Sequence, residues 1–513
     1  MSPRRSILVA LLVLAAAFRF WGIGWGTPER DDFYVDETTY VVRHALHVSL
    51  ADPDPQFLNY PSFLAYTIAL GNGALTRLGV FHERWQAHVL GRCVIAAYGS
   101  LTAPLAFLTV EAMGAPLAGA ALAGLWVALL PDHIWESHVA VTDVMMTFWT
   151  LLVVLASVRM SQAPTRRHAA LCGMALGLAV GSKYTAALAA VAPLVALAKA
   201  RPPPRALATC LVIVGLTALA ACFAVTPYSF LHLRELLQAL AFENRHVHQQ
   251  HPGFSMPAPG PQYHRYLYQL VAAFPFSMGL ALYVTSIAGT LWVATRRARK
   301  AAELLLVAVC FFALTGSFRF TPLRYYLPIT VTLAACAGWW QGDWLASGSK
   351  ARALVAGVSV AAALVYTSVF AFQTTERYSH DTRSSVAKWL ANHVRPELRV
   401  VAVGNPAYLA LPAHPGFTFD VVPNGKALDL DSLRSYDVVE ITSMSYLRGY
   451  RHQNRMMLGD YPRLRRGRAG FRLLHRFEAD FLNRDLYTRL DPMFSAYFVS
   501  PTIEIYVRDN RPA

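Results

Sequence analysis

Apolar runs alternate with short polar links from residue 7 to residue 372, and the pattern then changes. Ile7 to Trp25, interrupted only by Arg19, is long enough to cross a bilayer of about 30 Å. Further runs follow at Pro61 to Val80, Leu90 to Val110, Leu117 to Leu130 and Asp143 to Val158. Two short pieces, His168 to Ser182 and Thr185 to Ala198, flank Lys183. The series closes with Ala206 to Val225, Tyr266 to Ala294, Leu304 to Ser317, Tyr325 to Trp340 and Ala353 to Phe372. Gln373 to Ala513 has no run long enough to span. Its periodicity predicts a helix over Ser384 to Val394 and strands at Leu398 to Val403, Tyr436 to Ile441 and Ile503 to Val507.

The Arg and Lys residues orient the series. Arg4 and Arg5 place the N-terminus in the cytoplasm. Arg159, Arg166 and Arg167, then Lys199 to Arg205, then Arg296 to Lys300, then Lys350 and Arg352 all fall on that same side, provided that Pro61 to Val80 does not cross. The expectation is a mainly α, multi-spanning membrane protein of about 11 transmembrane helices with an extracytoplasmic C-terminal α/β domain. The membrane domain covers 1–372, with a first outer loop at 27–60, and the soluble domain covers 373–513. The site of action is the plasma (inner) membrane, with the C-terminal domain in the periplasm.

Composition agrees with a membrane chain. It is 55% hydrophobic and 15% charged. The formal net charge of +15 then reads as cytoplasmic loops and headgroup contacts, not as nucleic-acid binding. The six cysteines all lie in apolar runs, so no disulfide framework is implied. Ser6 to Trp25 is too long for a removed signal peptide and lacks a small-residue cleavage site, which predicts a retained first span. No Gly-rich nucleotide loop, Walker lysine, His-Glu-x-x-His or Cys-x-x-Cys pair occurs.

Candidate chemistry gathers at the outer boundary. Asp36-Glu37 follows the first span, at the start of a short helix that continues through Tyr40, Val41 and His44. A carboxylate pair at a lipid–water boundary costs desolvation energy unless it has a task or a partner. Arg92 opens a span on the side where cations are disfavoured. His133-x-x-Glu136-x-His138 leads to Asp143 at the mouth of the next span. Lys183 stands in Gly-Ser-Lys-Tyr, and Arg324 and Tyr325 stand in Pro-Leu-Arg-Tyr-Tyr-Leu-Pro. Cations at this depth suit a lipid phosphate, and a carboxylate suits proton removal from a hydroxyl. Each has a plainer reading: a helix cap for Asp36, headgroup contact for Arg92, an interface anchor for Lys183. The His133 to Asp143 set offers metal-ligand types at a spacing that matches no strong signature. His246 to His251 and the Arg463 to Arg468 run read first as polar loop and solvated patch.

These features, in this order, resemble the dolichyl-phosphate-mannose protein mannosyltransferases and their bacterial relatives, which include the aminoarabinose transferase acting on lipid A. The resemblance rests on Val35 to Tyr40, Asn59 to Leu64, Gly91-Arg92-Cys93, Val141 to Met145, Gly177 to Tyr184 and Arg324 to Pro328, and weakly on Asp381 to Trp389. The Pro61 segment departs from the His-Pro-Pro or Lys-Pro form common in relatives, which leaves the acceptor open. The resemblance implies a GT-C fold and inverting transfer of a sugar from a polyprenyl-phosphate donor to a protein, lipid or glycan hydroxyl. It implies Asp36 as catalytic base, with Arg92, Lys183 and Arg324 on the lipid phosphate. Glu37 and Asp143 would orient acceptor or sugar, with His138 and Tyr325 as further substrate contacts. No cofactor is required, and a divalent metal is left open. The competing reading is a non-enzymatic lipid or glycan transporter, which would place polar residues deep in several spans.

Overall fold

The computed structural model describes residues 2–28, 30, 32–249, 266–319, 322–395, 397–404, 409–410, 418–422, 429–443, 459–467, 470–479 and 500–509. Gln250, His251 and Arg468, parts of two expected features, lie outside them.

The first helix, α1 (Pro3–Phe20), starts on a proline, whose missing N–H costs nothing in the first turn. The segment after α1 carries α2 (Val35–Glu37), a π-helical turn over Thr38–Val42, and α3 (Arg43–His47). Next come α4 (Phe63–Arg77), α5 (Trp85–Ala112), α6 (Leu117–Ala128), α7 (Pro131–Glu136), α8 (Asp143–Gln162) and α9 (Arg166–Ser182). A 3-10 stretch, Tyr184–Ala190, leads into α10 (Val191–Ala200) and α11 (Pro204–Val225). Short α12 (Tyr228–Leu231) and amphipathic α13 (Leu233–His248) follow. Then come α14 (Phe274–Met278), α15 (Leu280–Arg296), α16 (Ala298–Thr315), a 3-10 turn over Leu323–Tyr326, α17 (Leu327–Leu345) and α18 (Lys350–Ser379).

Among the described residues, α5, α8, α11 and α18 are each long and apolar enough to cross a membrane, and the pair Gln269–Met278 with Leu280–Arg296 makes a fifth span if its 118° bend is one broken crossing. The segment at Pro61 to Val80 forms α4, 15 residues or about 22 Å at 1.5 Å each, short of a bilayer core.

Two close helix approaches set the site. Along α9, Gly173, Gly177 and Gly181 lie on one face against α11. A Cβ on Gly177 would stand 2.2 Å from the Ala218 carbonyl oxygen, so only glycine allows the contact. The helix α17 is buried from Leu327 to Gly342 and packs on α6, α15 and α18. Gly177→Val forces α11 away from α9 and shifts the end of α9, where Lys183 sits. The expected result is a lower melting temperature of the detergent-solubilised protein, and a melting curve equal to wild type would refute it.

The helix α18 runs unbroken past the expected boundary at Phe372. Thr374, Thr375, Arg377 and Tyr378 are buried there, so packing extends a helix whose apolar run has ended. Asp381 caps the next helix, α19 (Thr382–His393), by accepting from Arg383 N at 2.9 Å. A five-stranded sheet follows, built from β1 (Arg399–Val403), β2 (Thr418–Val422), β3 (Val438–Thr442), β4 (Phe471–Phe477) and β5 (Ile503–Arg508), in the order β2-β1-β3-β5-β4. The β1 strand pairs parallel with β2 and β3, while β5 runs antiparallel to β3 and β4. A short α20 (Tyr461–Arg465) packs near β4. The helix α19 and the segment after β1 are tied to the segment between α1 and α2. Arg383 donates to Phe33 O at 2.9 Å, and Arg30 donates to Leu409 O at 3.1 Å.

Candidate active site

Four elements converge on one chain of charges. Asp36, in the single turn of α2, accepts from Arg324 Nη2 at 2.7 Å. Arg324 lies in the 3-10 turn before α17, fixed between Pro322 and Pro328. Its Nη1 donates to the Tyr34 hydroxyl at 3.3 Å, and its Nε lies 3.5 Å from Asp143 Oδ2. Asp143, the first residue of α8, accepts from Lys183 Nζ through its other oxygen at 2.5 Å. Lys183 ends α9, where the α9–α11 approach sets its height.

The aromatic face of Tyr325 covers both cations. Lys183 Nζ is 4.2 Å and the Arg324 guanidinium 5.5 Å from the ring centre. Asp36 is the most open of the four charged groups, with 28% of its side chain exposed against 9% for Arg324 and 3% for Asp143. Burial lowers the Lys183 ammonium below its ordinary range, against the pull of Asp143. Burial also works against the Arg324 cation. Asp36, Tyr34, Tyr325 and Asp143 outweigh it and hold Arg324 charged.

A second acidic pair lies behind Arg324. On α7, Asp132 and Glu136 stand one turn apart, both buried. Burial first, and neighbouring carboxylates after it, push Glu136 up to about 8 despite Arg324, and burial raises Asp132 to about 7. The Asp132 Oδ2 accepts from Thr330 Oγ1 at 3.0 Å, while Glu136 Oε2 has no hydrogen-bond partner among the described residues.

Residues 9–201 match the model of the dolichyl-phosphate-mannose-protein mannosyltransferase family. The matched stretch includes Asp36, Asp143 and Lys183 and ends before Arg324 and Tyr325. The structure is similar to that of ArnT from Cupriavidus metallidurans bound to undecaprenyl phosphate, with TM-score 0.50 and 16% identity over 87% of this chain and 94% of that one. It is also similar to the oligosaccharyltransferase AglB from Archaeoglobus fulgidus in complex with an inhibitory peptide and a dolichol-phosphate, with TM-score 0.50 and 13% identity over 96% and 77% of the two chains. A comparison with curated protein sequences finds no match. The fold is that of the GT-C membrane glycosyltransferases.

Within this GT-C fold, three of the residues expected at the substrate have other partners. Arg92 and Glu37 are fully buried and grip each other, Arg92 Nε donating to the two Glu37 oxygens at 2.9 and 3.1 Å. Arg92 Nη1 donates to Trp25 O at 2.6 Å, its guanidinium lies 4.4 Å from the Trp25 ring centre, and Glu37 Oε2 also accepts from Ala140 N at 2.9 Å. With no open surface, Arg92 is not placed to hold a phosphate, nor Glu37 to orient a sugar. The pair clamps α2 to α5 and to the loop after α7. His138 is buried as well, its ring stacked on Tyr378 at 4.1 Å with its nitrogens facing Ile134 O and Trp21 O.

The metal alternative for His133 to Asp143 loses its geometry in the same way. His133 Nδ1 faces Arg19 Nη2 at 3.0 Å, and among the described residues no three His, Cys, Asp or Glu side chains converge on a common point. Sequence reasoning passed over Tyr34, which the Arg324 contact brings into the site, and Glu243 of α13. Glu243 accepts from Asn59 Nδ2 at 2.7 Å, and its charge reaches Lys183 and Tyr325. The strong amphipathic pattern of α13 was the signal available for Glu243.

Proposed function

We propose that the protein is an inverting glycosyltransferase that moves a sugar from a polyprenyl-phosphate donor to an acceptor hydroxyl at the outer face of the inner membrane. The observation that carries this reading is the chain Asp36–Arg324–Asp143–Lys183, in which one half-open carboxylate borders two cations bridged by a second carboxylate. The family match over residues 9–201 supports the transfer chemistry, and the undecaprenyl phosphate bound by ArnT supports the donor class.

The two cations can take a phosphate between them. An incoming phosphate competes with Asp36 for Arg324 Nη2, and its oxygens replace the carboxylate there. Asp36 is then released to accept the proton of the acceptor hydroxyl. The acceptor oxygen bonds to the anomeric carbon as the carbon–oxygen bond to phosphate breaks, and the electron pair leaves on the polyprenyl phosphomonoester. A single displacement inverts the anomeric centre. Charge grows on the leaving phosphate, so Arg324 and Lys183 bind the transition state more tightly than the ground state. Asp143 keeps the two cations at one spacing, and Tyr325 shields both from water. No step in this scheme calls on a cofactor. Sugar and acceptor would meet between the first outer loop and α13, with about 11 spans below them and the α/β domain above, in the periplasm.

The testing experiment is transfer of labelled sugar from polyprenyl-phosphate sugars by membranes carrying the protein. Transfer is expected, and none from any donor tested would overturn the proposal in favour of a transporter. Separately, Arg324→Ala is expected to weaken undecaprenyl phosphate binding about tenfold to a hundredfold, the scale of one or two hydrogen bonds to a charged group. Unchanged affinity in a titration would remove Arg324 from the phosphate site.

A further inference from the structure

The exposed apolar face of one membrane-crossing helix runs on into the amphipathic helix beside the site. The helix α11 has 22 residues, about 33 Å at 1.5 Å each, enough to cross a bilayer. Its Val214, Ala218 and Val225 lie against the glycines of α9. On the opposite side Val212, Leu216, Leu219 and Phe223 follow one another at helical spacing, and all four are exposed. An exposed apolar face along a helix of this length is a face for acyl chains. The face does not stop where α11 ends. Phe223 meets Phe230 of α12 edge-on at 5.6 Å and 62°, Phe230 and Leu231 are exposed, and α13 begins at Leu233.

Helical spacing gives α13 three sides. Leu236, Ala239, Glu243 and Val247 share the side turned to the protein and are buried or half-buried. Leu233, Leu237 and Leu240 form the second side, exposed at 57%, 59% and 36%. Arg234, Gln238 and Arg245 form the third and are exposed too. Phe242 stands beside them with its ring stacked on His246 at 6.0 Å and 11°. The protein side leads to the site. Glu243 accepts from Asn59 Nδ2 at 2.7 Å, and its charge reaches Lys183 and Tyr325. Val247 O accepts from Arg319 N at 2.8 Å, His248 meets the Phe318 ring at 5.6 Å, and Phe318 meets Tyr325 at 6.2 Å. Gly181, two residues before Lys183, lies against Val225, the last residue of α11. The site, the end of α11 and α13 are therefore at one depth.

We propose that α13 lies in the lipid–water interface at this end of α11, with Leu233, Leu237 and Leu240 among the acyl chains, and that the bilayer so holds a wall of the site in place. The occupant of the apolar stripe is the lipid surface because the stripe continues the acyl-chain face of α11 through Phe223, Phe230 and Leu231. Charge agrees. Arg234 and Arg245 flank the stripe on the water side, at the reach of lipid phosphates, as in helices that lie in a membrane surface. The third side then fixes what the seat supports: Glu243 against Asn59, and the Phe318 ring against Tyr325.

The first test is spin labelling of the full chain in nanodiscs of phosphatidylethanolamine and phosphatidylglycerol. Nitroxides are placed by Leu237→Cys on the stripe and Gln238→Cys on the water side, and the labelled wild type supplies the background of the native cysteines. Both positions are exposed, and melting curves equal to wild type show that the labelled chains are folded. The ratio of relaxation by oxygen to relaxation by a water-soluble nickel chelate is expected to be about threefold or more higher at 237 than at 238, because oxygen partitions into acyl chains. Equal ratios overturn the proposal by placing the stripe in water. A label at 237 shielded from both reagents overturns it too and makes the stripe a contact with protein, such as a second copy of this chain. The second test is hydrogen exchange. In Leu233→Ser with Leu237→Ser, the amides of α13 are expected to exchange about tenfold faster in nanodiscs while those of α8 keep the wild-type rate, as a local opening does. Unchanged exchange in α13 shows that protein contacts alone hold the helix and overturns the supporting role of the bilayer.

Discussion

Asp36→Asn is expected to lower the turnover number for sugar transfer by about 10²-fold to 10⁴-fold, the usual contribution of a positioned general base. The amide fills the same volume and still offers an oxygen to Arg324 Nη2, so the loop keeps its place. It cannot take the acceptor proton. The expected split is diagnostic: turnover falls while affinity for undecaprenyl phosphate holds or rises, because the Arg324 guanidinium loses a charged competitor 2.7 Å away. Steady-state transfer and a lipid titration on one preparation read both quantities. Equal transfer in wild type and variant would take Asp36 out of the mechanism. Loss of lipid binding together with transfer would instead make Asp36 part of the frame around Arg324. On the proposed mechanism this ion pair would also order the reaction: until a phosphate engages Arg324, Asp36 stays held against a cation and does not activate water before the donor arrives.

Much of this site is legible in the sequence. The run of apolar segments with one-sided cations put Asp36, Asp143, Lys183 and Arg324 at one boundary, and the structure brings those four together. Residue type and sidedness were enough, because a charge at the end of an apolar run has few places to go. Pairing was the illegible part. Arg92 stood out as a cation on the disfavoured side, yet nothing local reveals that its partner is Glu37, 55 positions earlier and adjacent to the residue proposed as base. The resemblance implies His138 as a substrate contact, but its ring is spent on Tyr378, 240 positions later. The sheet divides in the same way. The β1, β3 and β5 strands are apolar runs buried between layers, visible as such. The edge strand β4 carries Arg472, His475 and Arg476 and has the polar look of a loop.

The buried clamp gives the largest expected effect on stability. In Arg92→Met, the Glu37 carboxylate stays buried with, among the described residues, only the Ala140 N–H to satisfy it. Breaking a buried pair from one side typically costs about 3–5 kcal/mol, because the remaining charge is uncompensated. The variant is therefore expected to melt well below wild type in detergent. The double variant Glu37→Gln with Arg92→Met removes both charges and should recover most of the loss, a large coupling in a double-mutant cycle. If Arg92 instead held the lipid phosphate, the single variant would keep its melting temperature and lose affinity for undecaprenyl phosphate, so calorimetry and a lipid titration separate the two roles. The clamp also bears on the chemistry. Glu37 and Asp36 are consecutive residues of one helical turn and point about 100° apart around it. Fixing Glu37 inward on Arg92 and Ala140 N turns Asp36 outward toward Arg324. An expected consequence is that the double variant, though folded, transfers sugar more slowly than wild type, because the base has lost the anchor that aims it. Full activity in the double variant would show that the Arg324 contact alone orients Asp36.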